Sequence, residues 1–250
     1  MRAVVESFPA QRAHTYAFLR DAQQTAHVYL VADVDATKLI KAREAAEGQL
    51  SYISYVVKAA ADVLASSEEA KTSLRDGFFP RLAKLPDVTA KVLFDKEFDG
   101  KRCVASGTIA APDRASVAVI QSQIDNYKES PIAEKGPFAP LWKLRSLPLP
   151  LVRLIYNALL SNPLRRAKFQ GTFSVTSVGH GHVRTVLPLI ATTIGFGMGR
   201  IEEAPVVRDG TVTVAPCMSL SLTFDHRVLD GALAAELLSS IKRRLETLED

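Results

Sequence analysis

The segment from Ser219 to Gly231 constrains the fold of this chain more than any other part of its sequence. Residues 219–225 alternate apolar and polar side chains, which is typical of a half-buried β-strand. An Asp-His-Arg sequence interrupts the alternation, and an Ala- and Leu-rich segment typical of a helix follows. His226 therefore lies at a predicted strand–turn–helix junction, where one imidazole nitrogen can face a cleft and exchange a proton near neutral pH.

Two further residues form a His-x-x-x-Asp-Gly pattern with His226. Asp230 follows four positions later, and Gly231 comes next and permits tight backbone geometry. In proteins generally, a histidine near an aspartate is most often a hydrogen-bonded structural pair. The pattern by itself leaves both a structural pair and a proton-transferring histidine open.

The composition indicates a folded soluble protein and excludes several classes. The 250 residues are 47% hydrophobic and 23% charged, with a net charge of +4 and both signs mixed along the chain. There is no block of basic residues with interleaved aromatics, so we expect no nucleic-acid partner. Cys103 and Cys217 are too few for a disulfide framework and predict free thiols in a reducing compartment.

We also predict a cytoplasmic protein without a membrane span. The amino terminus lacks the apolar core of a signal peptide. No apolar run reaches the roughly 18–20 residues that a membrane-spanning helix needs.

Strand and helix patterns alternate along the whole chain. Helices are predicted at 12–24, 50–64, 113–128 and 231–248, with a further helix after Asp35, and strands at 27–35, 88–95, 102–110, 171–177, 192–198, 211–216 and 218–225. This mixture predicts one α/β domain over residues 1–250. The proline-rich segment 129–170 predicts an irregular insertion with one amphipathic helix at about 149–160, which either packs on its own domain or trimer or docks on a membrane surface or partner.

The run from Leu220 to Ala232 resembles the active-site signature of the catalytic domains of 2-oxoacid dehydrogenase acyltransferases. These are the E2 components, which are relatives of chloramphenicol acetyltransferase. Further blocks resemble the same family in the same order along the chain: Val28–Leu39, Ser51–Ala61, Gly171–Gly179 and Ile194–Gly210.

The resemblance implies a chloramphenicol acetyltransferase-like fold, with a central mixed β-sheet flanked by helices, and an acyltransferase that uses coenzyme A or acyl-CoA as a substrate. It implies that His226 is the general base and that Thr176 occupies the position of the family's catalytic hydroxyl, which stabilises the oxyanion. It implies that Asp230 braces the active-site loop by pairing with an arginine, which we assign to Arg12. Taken alone, Thr176 fits a β-branched strand residue equally well, and Arg12 fits a surface helix residue.

The family builds its sites between subunits, with the histidine from one chain and the hydroxyl from its neighbour. The resemblance therefore implies a homotrimer. The acceptor is expected to be a dihydrolipoyl group on another protein, such as a dehydrogenase-complex subunit, or a small nucleophile. The alternative is a non-catalytic E2-like trimeric scaffold of an oxoacid dehydrogenase-type complex.

Several departures from the family narrow these expectations. The sequence shows no lipoyl domain and no subunit-binding domain, so we expect no lipoyl attachment in this chain. The acidic end from Leu245 to Asp250 favours a plain trimer over a large hollow core. His180 and His182 have no third ligand patterned nearby, so we expect no metal. The glycines at 195, 197 and 199 lack the context of a nucleotide loop and favour close packing in a core strand.

Overall fold

The computed structural model describes residues 3–248. The helices are α1 (Ala13–Ala22), α2 (Thr37–Ala45), α3 (Tyr52–Ala65), α4 (Val117–Glu129), α5 (Ala139–Leu144), α6 (Leu149–Leu160), α7 (Pro163–Gln170) and α8 (Gly231–Thr247). The strands are β1 (His27–Asp35), β2 (Thr72–Arg75), β3 (Arg81–Lys84), β4 (Thr89–Phe98), β5 (Lys101–Ala110), β6 (Phe173–Ser177), β7 (Ile194–Arg208) and β8 (Thr211–Asp225).

One mixed sheet in the order β1-β8-β7-β6-β4-β5 forms the centre of the molecule. The pairs β6–β7 and β4–β6 are parallel, and the pairs β1–β8, β7–β8 and β4–β5 are antiparallel. Strands β2 and β3 form a separate antiparallel pair. The predicted fold class, a mixed sheet flanked by helices, is confirmed.

Alternation along the strands gives the sheet two chemically different faces. Ala90 pairs with Phe173 and Val92 with Val175, and these side chains are buried in one core with residues of α3, α4 and α8. On the opposite face Lys91 pairs with Ser174, and Thr176 follows two residues later. Residues of α1, α6 and α7 line a cavity on this polar side.

Capping and turn residues place the elements. Ser51 and Ser116 begin α3 and α4, where each hydroxyl accepts a hydrogen bond from the backbone N–H three residues on. Asp35 accepts hydrogen bonds from the backbone N–H and the hydroxyl of Thr37 at the start of α2. Positive φ angles at Asp99 and Gly100 close the predicted β4–β5 hairpin.

The segment 129–170 contains more helix than the sequence predicts. The predicted helix at 149–160 coincides with α6, but α5 and α7 lie where the frequent prolines suggested irregular backbone. Pro140, Pro150 and Pro163 each occupy one of the first two positions of a helix. Proline is tolerated there because its missing N–H would have no partner within the helix.

The two strands predicted at 211–216 and 218–225 are one continuous strand, β8. Pro216 lies within it, opposite Glu203 of β7. Strand β1 pairs with β8 only as far as Cys217, so at Pro216 the N–H side of β8 is no longer in the ladder. Among the helices of the described residues, none is long and apolar enough to cross a membrane.

Candidate active site

His226 follows the last residue of β8, where the chain turns towards α8. Its backbone N–H donates to Ala26 O at 2.9 Å, which fixes the turn against the start of β1. The imidazole is 49% exposed, and its ring centroid lies 5.5 Å from that of Phe224. The backbone of His226 is therefore fixed, while its imidazole is accessible to a second molecule.

An ion pair between Asp225 and Arg227 stabilises the turn on both sides of His226. Arg227 donates from Nε to Oδ1 of Asp225 at 2.8 Å and from a terminal nitrogen to Oδ2 at 2.7 Å. It also donates to Asp76 at 2.7 Å. Asp225 is buried, and its backbone oxygen accepts from the N–H groups of Val228 and Leu229. Hydrogen bonding to Asp225 raises the pKa of Arg227.

Within the described residues, Arg12 and Asp230 do not form the predicted pair. Arg12 is exposed at the end of a 3-10 turn that precedes α1, and within residues 3–248 it takes part in no ion pair. The Asp230 carboxylate is 91% exposed, and Oδ1 lies 3.9 Å from Nδ1 of His226, which is too long for a hydrogen bond. Arg227 occupies the bracing role that the sequence interpretation gave to Arg12, because it follows β8 directly.

Gly231 begins α8 with ordinary backbone geometry. Its φ angle is not positive, and a Cβ added there would meet nothing within 4 Å. The tight geometry expected from this glycine is therefore not required within a single chain.

Thr176 lies on the polar face of the sheet and lines a cavity of about 370 Å³. The cavity lies between this face and helices α1, α6 and α7. Ser174, also in its wall, lies 3.5 Å from the hydroxyl of Thr192. The Thr176 hydroxyl makes no hydrogen bond to any other group of residues 3–248, so it is available to a bound molecule.

Lys91 supplies a buried cation to the same cavity. Its ammonium group donates to Oε1 of Gln170, whose amide donates in turn to the Tyr156 hydroxyl. The ammonium nitrogen also lies 4.9 Å from the centre of the Phe18 ring. Burial lowers the pKa of Lys91 to about 8. Burial is also the main cause of a lowered pKa at His14, whose Nε2 lies 2.8 Å from Val104 O.

Glycines of β7 allow the backbone of the segment before this strand to approach it closely. A Cβ at Gly197 would lie 2.2 Å from Val186 O, and one at Gly199 would lie 1.8 Å from Arg184 O. The segment that follows β6 therefore packs directly against the strand. The glycines pack closely in a core strand, as the sequence predicts, and Leu189 and Thr192 of the segment line the cavity.

A second cavity, of about 520 Å³, lies beside Arg227 and is lined mainly by polar side chains. Arg20, Arg75 and Arg153 line it and form no ion pair with any carboxylate of residues 3–248. Asp21 and Asp76 also line it, but they pair with Arg166 and Arg227. The lining therefore has an excess of positive charge.

The strand register separates Thr176 from His226. Thr176 pairs with Gly197, which pairs with Ser221, so these residues lie in one row across the sheet. His226 is five residues beyond Ser221, a distance of about 17 Å along the strand at roughly 3.4 Å per residue. One chain therefore does not bring the two predicted catalytic groups together.

Residues 153–250 match the model of the family described as 2-oxoacid dehydrogenases acyltransferase (catalytic domain). Over these residues the chain is similar to that family. The match includes β6, β7, β8 and α8, and so contains both Thr176 and His226.

Similarity to members of the family extends beyond the matched region. The chain is 29% identical over 247 residues to the dihydrolipoyllysine-residue acetyltransferase component of the pyruvate dehydrogenase complex of Bacillus subtilis, covering 94% of this chain and 48% of that protein. A corresponding component from Staphylococcus epidermidis is 25% identical, with 98% and 51% covered. The chain thus spans about half the length of these curated relatives.

Solved structures share the fold. A probable dihydrolipoamide acetyltransferase from Listeria monocytogenes superposes with a TM-score of 0.72 at 20% identity, over 100% of this chain and 96% of the other. The dihydrolipoamide acetyltransferase of Azotobacter vinelandii also gives 0.72, at 18% identity, over 98% and 93%. The architecture is therefore that of the family's catalytic domains.

Sequence reasoning missed Lys91, Arg227 and His14. Arg227 was visible beside His226, but nothing in the sequence shows that it folds back onto Asp225. Lys91 interrupts the apolar run from Ala90 to Phe94, which is a detectable signal. The helices that bury Lys91 come from distant parts of the chain, so its partners could not be read from local pattern.

Proposed function

We propose that residues 1–250 act as one catalytic domain, a cytoplasmic acyltransferase that moves an acyl group between coenzyme A and a nucleophilic acceptor. The acceptor is a dihydrolipoyl group on a partner protein or a small nucleophile, and the active assembly is a homotrimer. The observation that carries this proposal is the register of β6, β7 and β8. Thr176 and His226, two groups suited to acyl transfer, are separated by five residues along the strand direction. The chain's curated relatives are acetyltransferases.

In the proposed reaction His226 is the general base. Its imidazole removes the proton from the acceptor thiol, hydroxyl or amine, and the resulting nucleophile attacks the thioester carbonyl. The C–S bond then breaks, and the imidazolium returns the proton to the departing CoA thiolate. The exposure of His226 fits this role, because the side chain must reach a substrate outside its own chain.

Thr176 stabilises the tetrahedral intermediate. Its free hydroxyl donates a hydrogen bond to the oxygen that becomes negatively charged as the acceptor attacks. The cavity beside Thr176 provides room for the acyl group or the acceptor next to that hydroxyl.

The site forms between subunits in this proposal. The separation of about 17 Å along β8 is too long for proton transfer, which needs hydrogen-bond contact. A neighbouring chain that places His226 near Thr176 removes this obstacle. Asp230 then acts as a positioning residue beside His226, and Gly231 admits close approach of the neighbour. Catalysis in the Azotobacter enzyme has been investigated at a serine, a histidine and an asparagine, and we propose Thr176, His226 and Asp230 as the counterparts.

The second, positively charged cavity fits the phosphates of coenzyme A. Its arginines offer forked donors that suit phosphate oxygens. No other cofactor is part of the proposal.

Release of free CoA thiol tests the proposal. The protein is incubated with acetyl-, propionyl- or succinyl-CoA and dihydrolipoamide, and His226→Ala is compared with the parent. We expect turnover to fall about 10²- to 10⁴-fold in the variant. The matched control is His182→Ala, since His182 is exposed, contacts Arg200 and lines neither cavity. Equal CoA release from the parent and His226→Ala with every donor would refute the proposed acyltransferase. It would favour the alternative, a non-catalytic E2-like trimeric scaffold.

A further inference from the structure

Lys91 is the basis of an inference about what the apolar cavity beside Thr176 binds. The ammonium group is enclosed between the sheet and helices α1, α6 and α7. Its hydrogen-bond partner in the chain is a neutral amide, that of Gln170. Since an ammonium group carries three donors, Lys91 retains capacity for a further acceptor.

The charges around Lys91 leave a positive excess. Asp21 is the carboxylate whose charge favours protonated Lys91, but it is already paired with Arg166 at 2.9 Å. The other polar side chains that line the cavity from these helices are Thr15, the neutral Gln170, the Tyr156 phenol and His14. Burial raises the pKa of Tyr156 and lowers that of His14, so both are uncharged near neutral pH. The cluster thus lacks one negative charge.

The rest of the cavity wall is largely apolar. Phe18, Leu93 and Leu159 line it, together with Val104 and Phe169. A volume of about 370 Å³ lies within the range of small-molecule sites. An occupant that complements this wall has an apolar body and one anionic end.

We propose that this cavity binds an apolar chain that ends in a carboxylate, with the carboxylate at Lys91. Lys91 is paired in register with Ser174, and Thr176 lies two residues further, about 7 Å along β6. The carboxylate would thus anchor one end while the chain extends towards the Thr176 hydroxyl. The direction of the chain rests on the proposed acyltransferase function, but the carboxylate site does not.

A purely structural role for Lys91 accounts less well for its surroundings. A buried ammonium without a carboxylate partner costs stability, and an apolar residue of similar shape would avoid that cost. An anionic ligand supplies the missing charge and makes a charge-assisted hydrogen bond in a site of low polarity.

Direct binding tests the proposal without relying on catalysis. Octanoate and methyl octanoate share an apolar chain, but only octanoate has a charge. Calorimetric titration of the whole protein should show octanoate binding at least tenfold more tightly than the ester. In Lys91→Met the preference should disappear, through a ten- to hundredfold weaker affinity for octanoate.

Lys96→Met is the matched control. Lys96 is on the same strand and also lies over a phenylalanine ring, that of Phe138, but it does not line the cavity. This variant should keep the preference for octanoate. Equal binding of octanoate and ester to the parent protein, or an unchanged preference in Lys91→Met, would refute the carboxylate site. Equal binding of the two ligands to the parent protein would refute the carboxylate site even if Lys91→Met does not fold.

A kinetic comparison identifies the source of the carboxylate. If it belongs to the acyl donor, the CoA monothioester of octanedioic acid should exceed octanoyl-CoA in kcat/KM by tenfold or more, and Lys91→Met should remove the difference. If it belongs to the acceptor, the two donors should be equivalent and octanoate should compete with the acceptor. A parent protein that releases CoA but binds octanoate and the ester equally would refute this inference alone. Lys91-dependent binding of octanoate without turnover would refute only the proposed acyltransferase function.

Discussion

Arg227 and Asp225 form a two-point ion pair, with His226 between them in the sequence. The carboxylate is almost entirely buried, while the guanidinium remains partly exposed and reaches Asp76 as well. The pair joins the end of β8 to the β2 hairpin region. The position of the imidazole therefore depends on a contact made by its two neighbours.

Arg227→Ala should weaken both the fold and the reaction. Removing the guanidinium leaves Asp225 buried without its partner, which should cost about 3 kcal/mol of unfolding free energy. Turnover should fall as well, because the turn that carries His226 loses its anchor. Urea unfolding and CoA release measure the two effects. Arg208→Ala removes a more exposed pair, with Asp35, and should cost less than about 1 kcal/mol. Equal losses of unfolding free energy in Arg227→Ala and Arg208→Ala would contradict a special stabilising role for the Arg227–Asp225 ion pair.

Thr176→Val should retain the fold and lose activity. Valine keeps the shape of the side chain but removes the hydroxyl, so we expect kcat to fall about 10²- to 10³-fold. Thr176→Ser should keep most of the activity. Ser174→Ala is a control in the same strand and cavity, and should leave kcat within a few-fold of the parent. Full activity in Thr176→Val would remove this residue from the mechanism.

Mixed trimers of two inactive variants should recover activity. When His226→Ala and Thr176→Ala chains assemble together in equal amounts, about one interface in four joins an intact histidine to an intact threonine if neighbours are drawn at random around a cyclic trimer. Activity should therefore rise to about a quarter of the parent value. Mixing the separately assembled variants without exchange is the control. No recovery in co-assembled trimers would mean that both groups act within one chain or that neither acts.

Lys91→Met should stabilise the protein, by on the order of 1–3 kcal/mol at pH 7. The pKa of Lys91 is about 8 in the fold, against an ordinary value of 10.5. Below pH 8 both states carry the charge, and its burial opposes folding fully. Between pH 8 and 10.5 the unfolded chain holds more protons, so the parent gains stability as pH rises. Chemical denaturation at pH 7, 9 and 10.5 should show the difference from Lys91→Met shrinking. Lys96→Met should show no stabilisation, since it loses bonds to the backbone oxygens of Lys128 and Ser130.

The sequence predicts much of the central sheet because local alternation and turn residues define its strands. β1 agrees with its predicted bounds, and the β4–β5 hairpin closes at the predicted Asp99-Gly100 turn. Strands β2 and β3 were missed because they are only four residues long and carry little periodicity. Helices α5 and α7 were missed because proline marks helix starts as readily as loops.

The sequence also predicts only part of the candidate site. His226 and Thr176 stand out because their surroundings repeat a family pattern. The residues that hold or surround them depend on tertiary contacts that no spacing reveals. Arg227 turns back onto Asp225, and Lys91 meets Gln170 from a helix 79 positions away in the sequence. The role of Arg12 came from the family resemblance alone, and within the described residues this arginine forms no ion pair with Asp230.

The glycines of β7 limit how the segment that carries Leu189 and Thr192 to the cavity can be changed. At Gly197 and Gly199, even one added methyl group would collide with the backbone oxygens of Val186 and Arg184, so a larger residue there would displace that segment. The facing wall consists of side chains from α1, α6 and α7, which tolerate exchange for larger or smaller ones. A library for new acyl or acceptor preferences should therefore diversify Phe18, Leu159 and Phe169 and keep the glycines fixed.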